Sequence, residues 1–181
     1  MDEITLDAEN RMKKTIENLR GSLATLRTGR ASPAMLSNLM IDYYGSPTPV
    51  NQISSITVPE PRQLLIKPYD RNDVKAIVNA INTSSLGINP INEGTQVRLM
   101  IPVLTEERRR EITKQAHKYG EEAKVSIRNI RRDAVDYIKD DDEYTEDLQK
   151  RVLDEIQKVT DNATKEVDNI VAEKDKEIMQ I

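Results

Sequence analysis

Apolar positions recur at helical spacing through the first 30 residues, where Met12, Ile16, Leu19, Leu23 and Leu26 step by four, three, four and three. This is the seam of a helix that packs against other helices. Gly29, followed by Ser32-Pro33, predicts that the helix ends near Gly29. A longer pattern runs from Thr105 to about residue 139, with Ile112, Ala116, Tyr119, Ala123, Ile127, Ile130, Ala134 and Ile138 on its inner face. Thr105 supplies an N-cap, and Glu106 and Glu107 an acidic first turn. A third helix follows the acidic turn Asp140 to Glu143 and aligns Leu148, Val152, Ile156, Val159, Ala163, Val167, Ile170 and Ile178. One apolar seam per helix leaves none of the three stable alone in water. Together they predict an antiparallel bundle, a rod of about 50 Å at ~1.5 Å rise per residue.

Between the first and second helices the period changes. Short alternating or clustered apolar runs predict strands over Leu39 to Tyr44, Ile53 to Val58, Leu64 to Ile66 and Val97 to Ile101. Seven of the eight prolines lie here, with Pro33 counted in the connection. One helix is predicted from about Asn72 to Asn82, with Val74, Ile77, Val78 and Ile81 inward and Asp70 or Asn72 as its cap. Tyr44-Gly45-Ser46-Pro47 and Ile91-Asn92-Glu93-Gly94 supply turns. The expected fold class is therefore α+β: residues 1–30 and 105–181 form a long three-helix bundle, and residues 31–104 form a small inserted β/α/β domain. Two short crossings join them, and Arg30, Ala31, Ser32, Pro102, Val103 and Leu104 are the candidate hinge residues.

Composition narrows the function classes. Aromatics make up 3% of the 181 residues, with no Trp or Phe, so aliphatic side chains must build the core. The absence of Cys removes disulfides, thiol nucleophiles and Cys-based zinc sites. Met1-Asp2-Glu3-Ile4 carries acids where a secretory or transit peptide carries bases, and no run approaches the ~18 apolar residues of a membrane span. A soluble cytoplasmic monomer is expected, with no membrane association. His117 is the only histidine, no phosphate-binding glycine loop occurs, and Asp140 to Glu143 lacks the pattern of an EF-hand. These features predict no enzymatic activity, no metal and no cofactor.

A net charge of -4 argues at first against a polyanionic partner. The charge is strongly polarised, however. Residues 1–104 hold 11 basic and 10 acidic side chains, residues 105–132 hold 9 and 5, and residues 133–181 hold 7 and 16. At about 100° per residue, Arg110, Lys114, His117, Lys124, Arg128 and Arg132 fall within one sector of roughly 80° on the second helix. Arg131 lies between that sector and the apolar seam, and Glu121 is the one acid within it. Periodicity alone leaves this stripe open to two readings, a surface solvated or paired with the acids of the third helix, or a surface for RNA. The cluster Arg128, Arg131 and Arg132 suits bidentate phosphate contacts. Without interleaved aromatics it would recognise backbone and shape rather than base sequence. A coiled-coil adaptor or holdase binding acidic proteins is the alternative class.

Several blocks carry a family likeness: Leu26-Arg27-Thr28-Gly29-Arg30-Ala31-Ser32-Pro33, Tyr43-Tyr44-Gly45-Ser46-Pro47-Thr48-Pro49, Leu104-Thr105-Glu106-Glu107-Arg108-Arg109 and Arg128-Asn129-Ile130-Arg131-Arg132-Asp133-Ala134. With Leu86-Gly87-Ile88-Asn89-Pro90 and Lys174-Asp175-Lys176-Glu177-Ile178-Met179, they resemble the ribosome recycling factors along the length of the chain and in order. The resemblance implies an L-shaped protein similar in outline to a tRNA. It would bind large-subunit rRNA on the post-termination ribosome and split the subunits with elongation factor G and GTP. It also implies rRNA contacts from Arg128, Arg131 and Arg132, with Arg27 and Arg30 supporting the rRNA surface or the hinge, and an inserted domain that faces elongation factor G and the small subunit.

Overall fold

A computed structural model describes residues Met1–Gln180, so the last position of the expected bundle range, 181, lies outside them. The chain divides into two compact units, one made of Met1–Thr28 with Thr105–Gln180 and one made of Gly29–Leu104.

The first unit holds three helices, α1 (Glu3–Ala24), α4 (Glu106–Asp140) and α5 (Glu146–Met179), each packed on the other two. Each begins where the sequence offers a side-chain oxygen to an orphan amide. Asp2 Oδ1 accepts from the Ile4 amide at 3.0 Å, Thr105 Oγ1 from Arg108 at 3.1 Å, and Thr145 Oγ1 from Leu148 at 3.3 Å. A cap of this kind stabilises a helix by about 1 kcal/mol. The core is aliphatic: Met12, Ile16, Leu19 and Leu23 of α1 meet Ile112, Ile127, Ile130 and Ile138 of α4 and Val152, Ile156, Val167 and Ile178 of α5. Fully burying one such side chain contributes about 1.5–3 kcal/mol, which explains why three single-seam helices hold together.

Three details of the bundle differ from expectation. The first helix ends at Ala24, not near Gly29. The Thr25 hydroxyl donates to the Ser22 carbonyl at 2.6 Å, and the Thr25 and Leu26 amides bond to Ser22 and Leu23. These i→i−3 bonds tighten the last turn and stop it five residues before Gly29, whose φ of 78° belongs to the following irregular chain. On α4 the buried position is Gly120, with Tyr119 half-buried beside it, because α5 approaches so closely that a Cβ on residue 120 would lie 2.7 Å from Val171 Cγ2. On α5, Thr160 is buried while Leu148 is half-buried at the helix start. Its hydroxyl donates to the Ile156 carbonyl at 2.8 Å, so burial leaves no polar atom unmatched.

The second unit contains a two-stranded hairpin and a four-stranded antiparallel sheet. The hairpin pairs β1 (Met40–Tyr43) with β2 (Ser46–Pro49) through Tyr44-Gly45, at φ 51° and 80°. A two-residue turn with both φ positive matches the twist of the strands it joins. The single helical turn α2 (Val50–Ile53) leads to β3 (Ser54–Glu60), which pairs with β4 (Gln63–Pro68). A short 3₁₀ turn, Arg71–Asp73, is capped by Asp70 and precedes α3 (Val74–Thr83). Strands β5 (Pro90–Asn92) and β6 (Val97–Met100) complete the sheet in the order β3-β4-β6-β5. Ile41, Val50, Leu64, Ile66, Ile77, Ile81, Val97 and Leu99 form its core. The unit thus has the expected strands and helix plus β2 and β5. Their sequences, Ser-Pro-Thr-Pro and Pro-Ile-Asn, carry no apolar alternation. Each is a short edge strand, where a proline's missing N–H does least harm.

Candidate nucleic-acid interface

The basic stripe lies along α4, and α5 borders it on one side. Antiparallel packing brings acids of α5 against part of the stripe, so its basic side chains do not share one fate. His117 Nε2 sits 2.6 Å from Asp175 Oδ2. Lys124 forms an ion pair with Asp168 and lies 3.7 Å from Glu121. Its side chain is only 22% exposed. The Asp168 hydrogen bond raises the Lys124 pKa above its ordinary value, against the opposing effect of partial burial. A lysine committed in this way has little charge left for a ligand.

The N-terminal end of the stripe is also occupied. Arg110 pairs with Glu106 at 2.8 Å, although both ends are about four-fifths exposed. Such a pair contributes only ~0.3–0.5 kcal/mol and opens easily. Around it, Glu106, Glu107, Arg110, Glu111 and Lys114 line a shallow groove with more acids than bases. A polyanion gains little there.

Toward the C-terminal half of α4 the picture reverses. Arg128 and Arg132 are exposed, and among the described residues neither has an ion-pair or hydrogen-bond partner; Lys114 at the other end is likewise exposed. Arg131 is half-buried at the α5 edge and reaches an uncharged group, with Nη1 3.5 Å from Gln157 Oε1. Three guanidinium groups within five residues therefore keep their full charge, and no described acid takes it up. Arg11 and Asp133, 3.1 Å apart, close the opposite edge of α4 against α1 and occupy the carboxylate that follows Arg132 in the chain. Bringing three unneutralised cations together costs free energy in the isolated protein, and a phosphate backbone relieves that cost on binding.

Two further arginines singled out from the sequence lie elsewhere. Arg27 and Arg30 are exposed in the irregular chain after α1, and each already makes an interaction within the protein. At the two crossings, Thr28 Oγ1 donates to Glu177 Oε1 at 3.2 Å within the first unit. In the second unit the Ala31 amide donates to Pro61 and the Ile101 amide to Arg62, both at 2.8 Å. Ser32 Oγ accepts from the Ala34 amide at 3.3 Å. Ala31 and Ser32 are thus held within the second unit, and the chain between these bonds is short, residues 29–30 on one side and Pro102–Leu104 on the other.

Asp168, Asp175, Gln157 and Asp161 were not singled out from the sequence, although they decide which cations stay available. The signal was present: Asp161, Asp168 and Asp175 repeat every seven residues, as do His117, Lys124 and Arg131. Among the described residues no group of three or more acidic or histidine side chains is arranged to hold a metal, and no helix is long and apolar enough to cross a membrane.

Known proteins match the chain along most of its length. The ribosome recycling factor family model matches residues 19–179. The ribosome-recycling factor of Syntrophomonas wolfei is 53% identical over 182 residues, spanning 99% of this chain and 98% of that protein. That of Mycobacteroides abscessus is 53% identical across 81% of each chain. The solution structure of a ribosome recycling factor aligns with a TM-score of 0.77 at 42% identity, covering 99% of this chain and 97% of the other. A second solved structure aligns with a TM-score of 0.62 at 43% identity over 98% and 97% of the two chains. It presents models for the T. thermophilus ribosome recycling factor and the E. coli elongation factor G bound to the E. coli post-termination complex.

Proposed function

This chain belongs to the ribosome recycling factor family, and on that premise we propose that it is a translation factor that binds the post-termination ribosome and, with elongation factor G and GTP, promotes subunit splitting. The GTP hydrolysis belongs to the elongation factor, and this chain acts as a binding protein without a catalytic centre of its own. Its place of work is the cytoplasm, where ribosomes terminate. The observation that carries the assignment of a surface is the open charge of Arg128 and Arg132 beside Arg131, on a helix where Arg110 and Lys124 are paired with acids. These three arginines grip large-subunit rRNA through its phosphates. Arg110, Lys114 and Lys124 contribute less, because two of the three are already paired. The links at Gly29–Arg30 and Pro102–Leu104 act as a hinge between the units, with Arg27 and Arg30 supporting the adjoining surface.

The test is splitting of purified post-termination ribosomes into subunits. Splitting that requires this protein, elongation factor G and GTP together supports the reading. If splitting is the same without the protein, the reading fails and the bundle is better regarded as an adaptor for acidic proteins.

A further inference from the structure

The pairs His117–Asp175 and Lys124–Asp168 form a ladder between α4 and α5. Each step adds seven on α4 and subtracts seven on α5, as two antiparallel helices in fixed register require. The same step leads next to Arg131 and Asp161. An arginine facing an aspartate at this rung would form the strongest ion pair of the three, since the guanidinium fork matches a carboxylate. The structure has a different arrangement. Asp161 Oδ1 accepts a hydrogen bond from Gln157 Nε2 at 2.8 Å, and Gln157 turns its Oε1 to Arg131 Nη1 at 3.5 Å. Gln157 lies one helical turn before Asp161 on the same face, so its amide is interposed between acid and base.

We propose that Gln157 is a positioning residue that keeps Arg131 available for RNA by occupying Asp161 and offering the guanidinium only a neutral acceptor. The amide has a donor end and an acceptor end. Asp161 takes the donor, which fixes the carbonyl toward Arg131 without neutralising it. The long 3.5 Å contact suits this role, because it orients the side chain and yields readily to a phosphate oxygen. The first two rungs hold their basic side chains against aspartates within the protein, and the third presents its guanidinium outward.

The inference rests on the reading of Arg131 as an rRNA contact, and the test separates the two. Binding of the full chain to purified large ribosomal subunits is measured as a function of salt for Gln157→Leu, Asp161→Asn, Arg131→Ala and their combinations. Gln157→Leu frees Asp161 to pair with Arg131. It should weaken binding about 3- to 10-fold and flatten the salt slope by roughly one phosphate contact. Asp161→Asn in the Gln157→Leu background should restore the affinity, and Gln157→Leu should have no effect in the Arg131→Ala background. A merely structural role for Gln157 would show neither the rescue nor the dependence on Arg131. If Arg131→Ala weakens binding but Gln157→Leu does not, or if Asp161→Asn fails to rescue, the positioning role is overturned while the rRNA reading stands. If Arg131→Ala binds like the parent chain, both are overturned.

Discussion

At the scale of single residues, the contrast between Lys124 and Arg131 follows from what α5 places opposite each. Lys124 is partly buried against Asp168, and Arg131 meets only an amide. Arg131→Ala should therefore weaken binding to ribosomes by about 1–3 kcal/mol, the range for losing a charge-assisted contact. Thermal unfolding should move little, since the guanidinium lies off the apolar seam. Tyr144 links the turn after α4 to α1. Its hydroxyl donates to Asp2 Oδ1, the cap of α1, at 2.9 Å. Burial first, and then this hydrogen bond to a carboxylate, push its pKa from 10.0 up to about 12. The folded state thus favours the neutral phenol. The resulting stabilisation is complete below pH 10 and is lost as pH rises through about 12. In denaturant titrations the advantage of the parent chain over Tyr144→Phe should shrink across that window. A constant advantage would contradict the linkage.

At the scale of elements, the bundle shows what periodic patterns can and cannot deliver. The seams of α4 and α5 were legible because Ile, Val and Ala recur at helical spacing. Gly120 was not, because a glycine carries no hydrophobic signal and its importance is the 2.7 Å that separates a hypothetical Cβ from Val171 Cγ2. Gly120→Ala should lower stability by about 1 kcal/mol, overpacking outweighing the gain in helix propensity, because valine in a helix has essentially one rotamer and cannot turn aside. Adding Val171→Ala should reverse the sign of the Gly120→Ala effect, as calorimetry on the four proteins would show. The end of α1 was missed for a related reason. Glycine marks helix ends in general, but here a threonine hydroxyl with a 2.6 Å bond to Ser22 ended the helix first. The hidden strands β2 and β5 are too short and too rich in proline to alternate, so pairing partners define them rather than their own side chains.

At the scale of the whole molecule, the chain consists of two units joined by short links. Bonded amides and hydroxyls flank the connecting chain, residues 29–30 and Pro102–Leu104. If the links transmit motion between the units, inserting two glycines into each should leave ribosome binding unchanged and slow subunit splitting. Unchanged splitting in a stopped-flow light-scattering assay would argue that the units act independently. The basic stripe was visible in the sequence as a sector of α4. Its division into committed and open cations was not, because that depends on which α5 side chains stand opposite, and a single helix projection carries no information about its neighbour.

A salt titration of binding to large ribosomal subunits tests that division most directly. Arg128→Ala with Arg132→Ala should reduce the slope of log affinity against log salt by roughly two phosphate contacts, at ~0.7–0.9 per contact. His117→Ala with Lys124→Ala should leave the slope nearly unchanged. If the slope instead falls for His117→Ala with Lys124→Ala and holds for Arg128→Ala with Arg132→Ala, the open arginine cluster is not the RNA-binding surface.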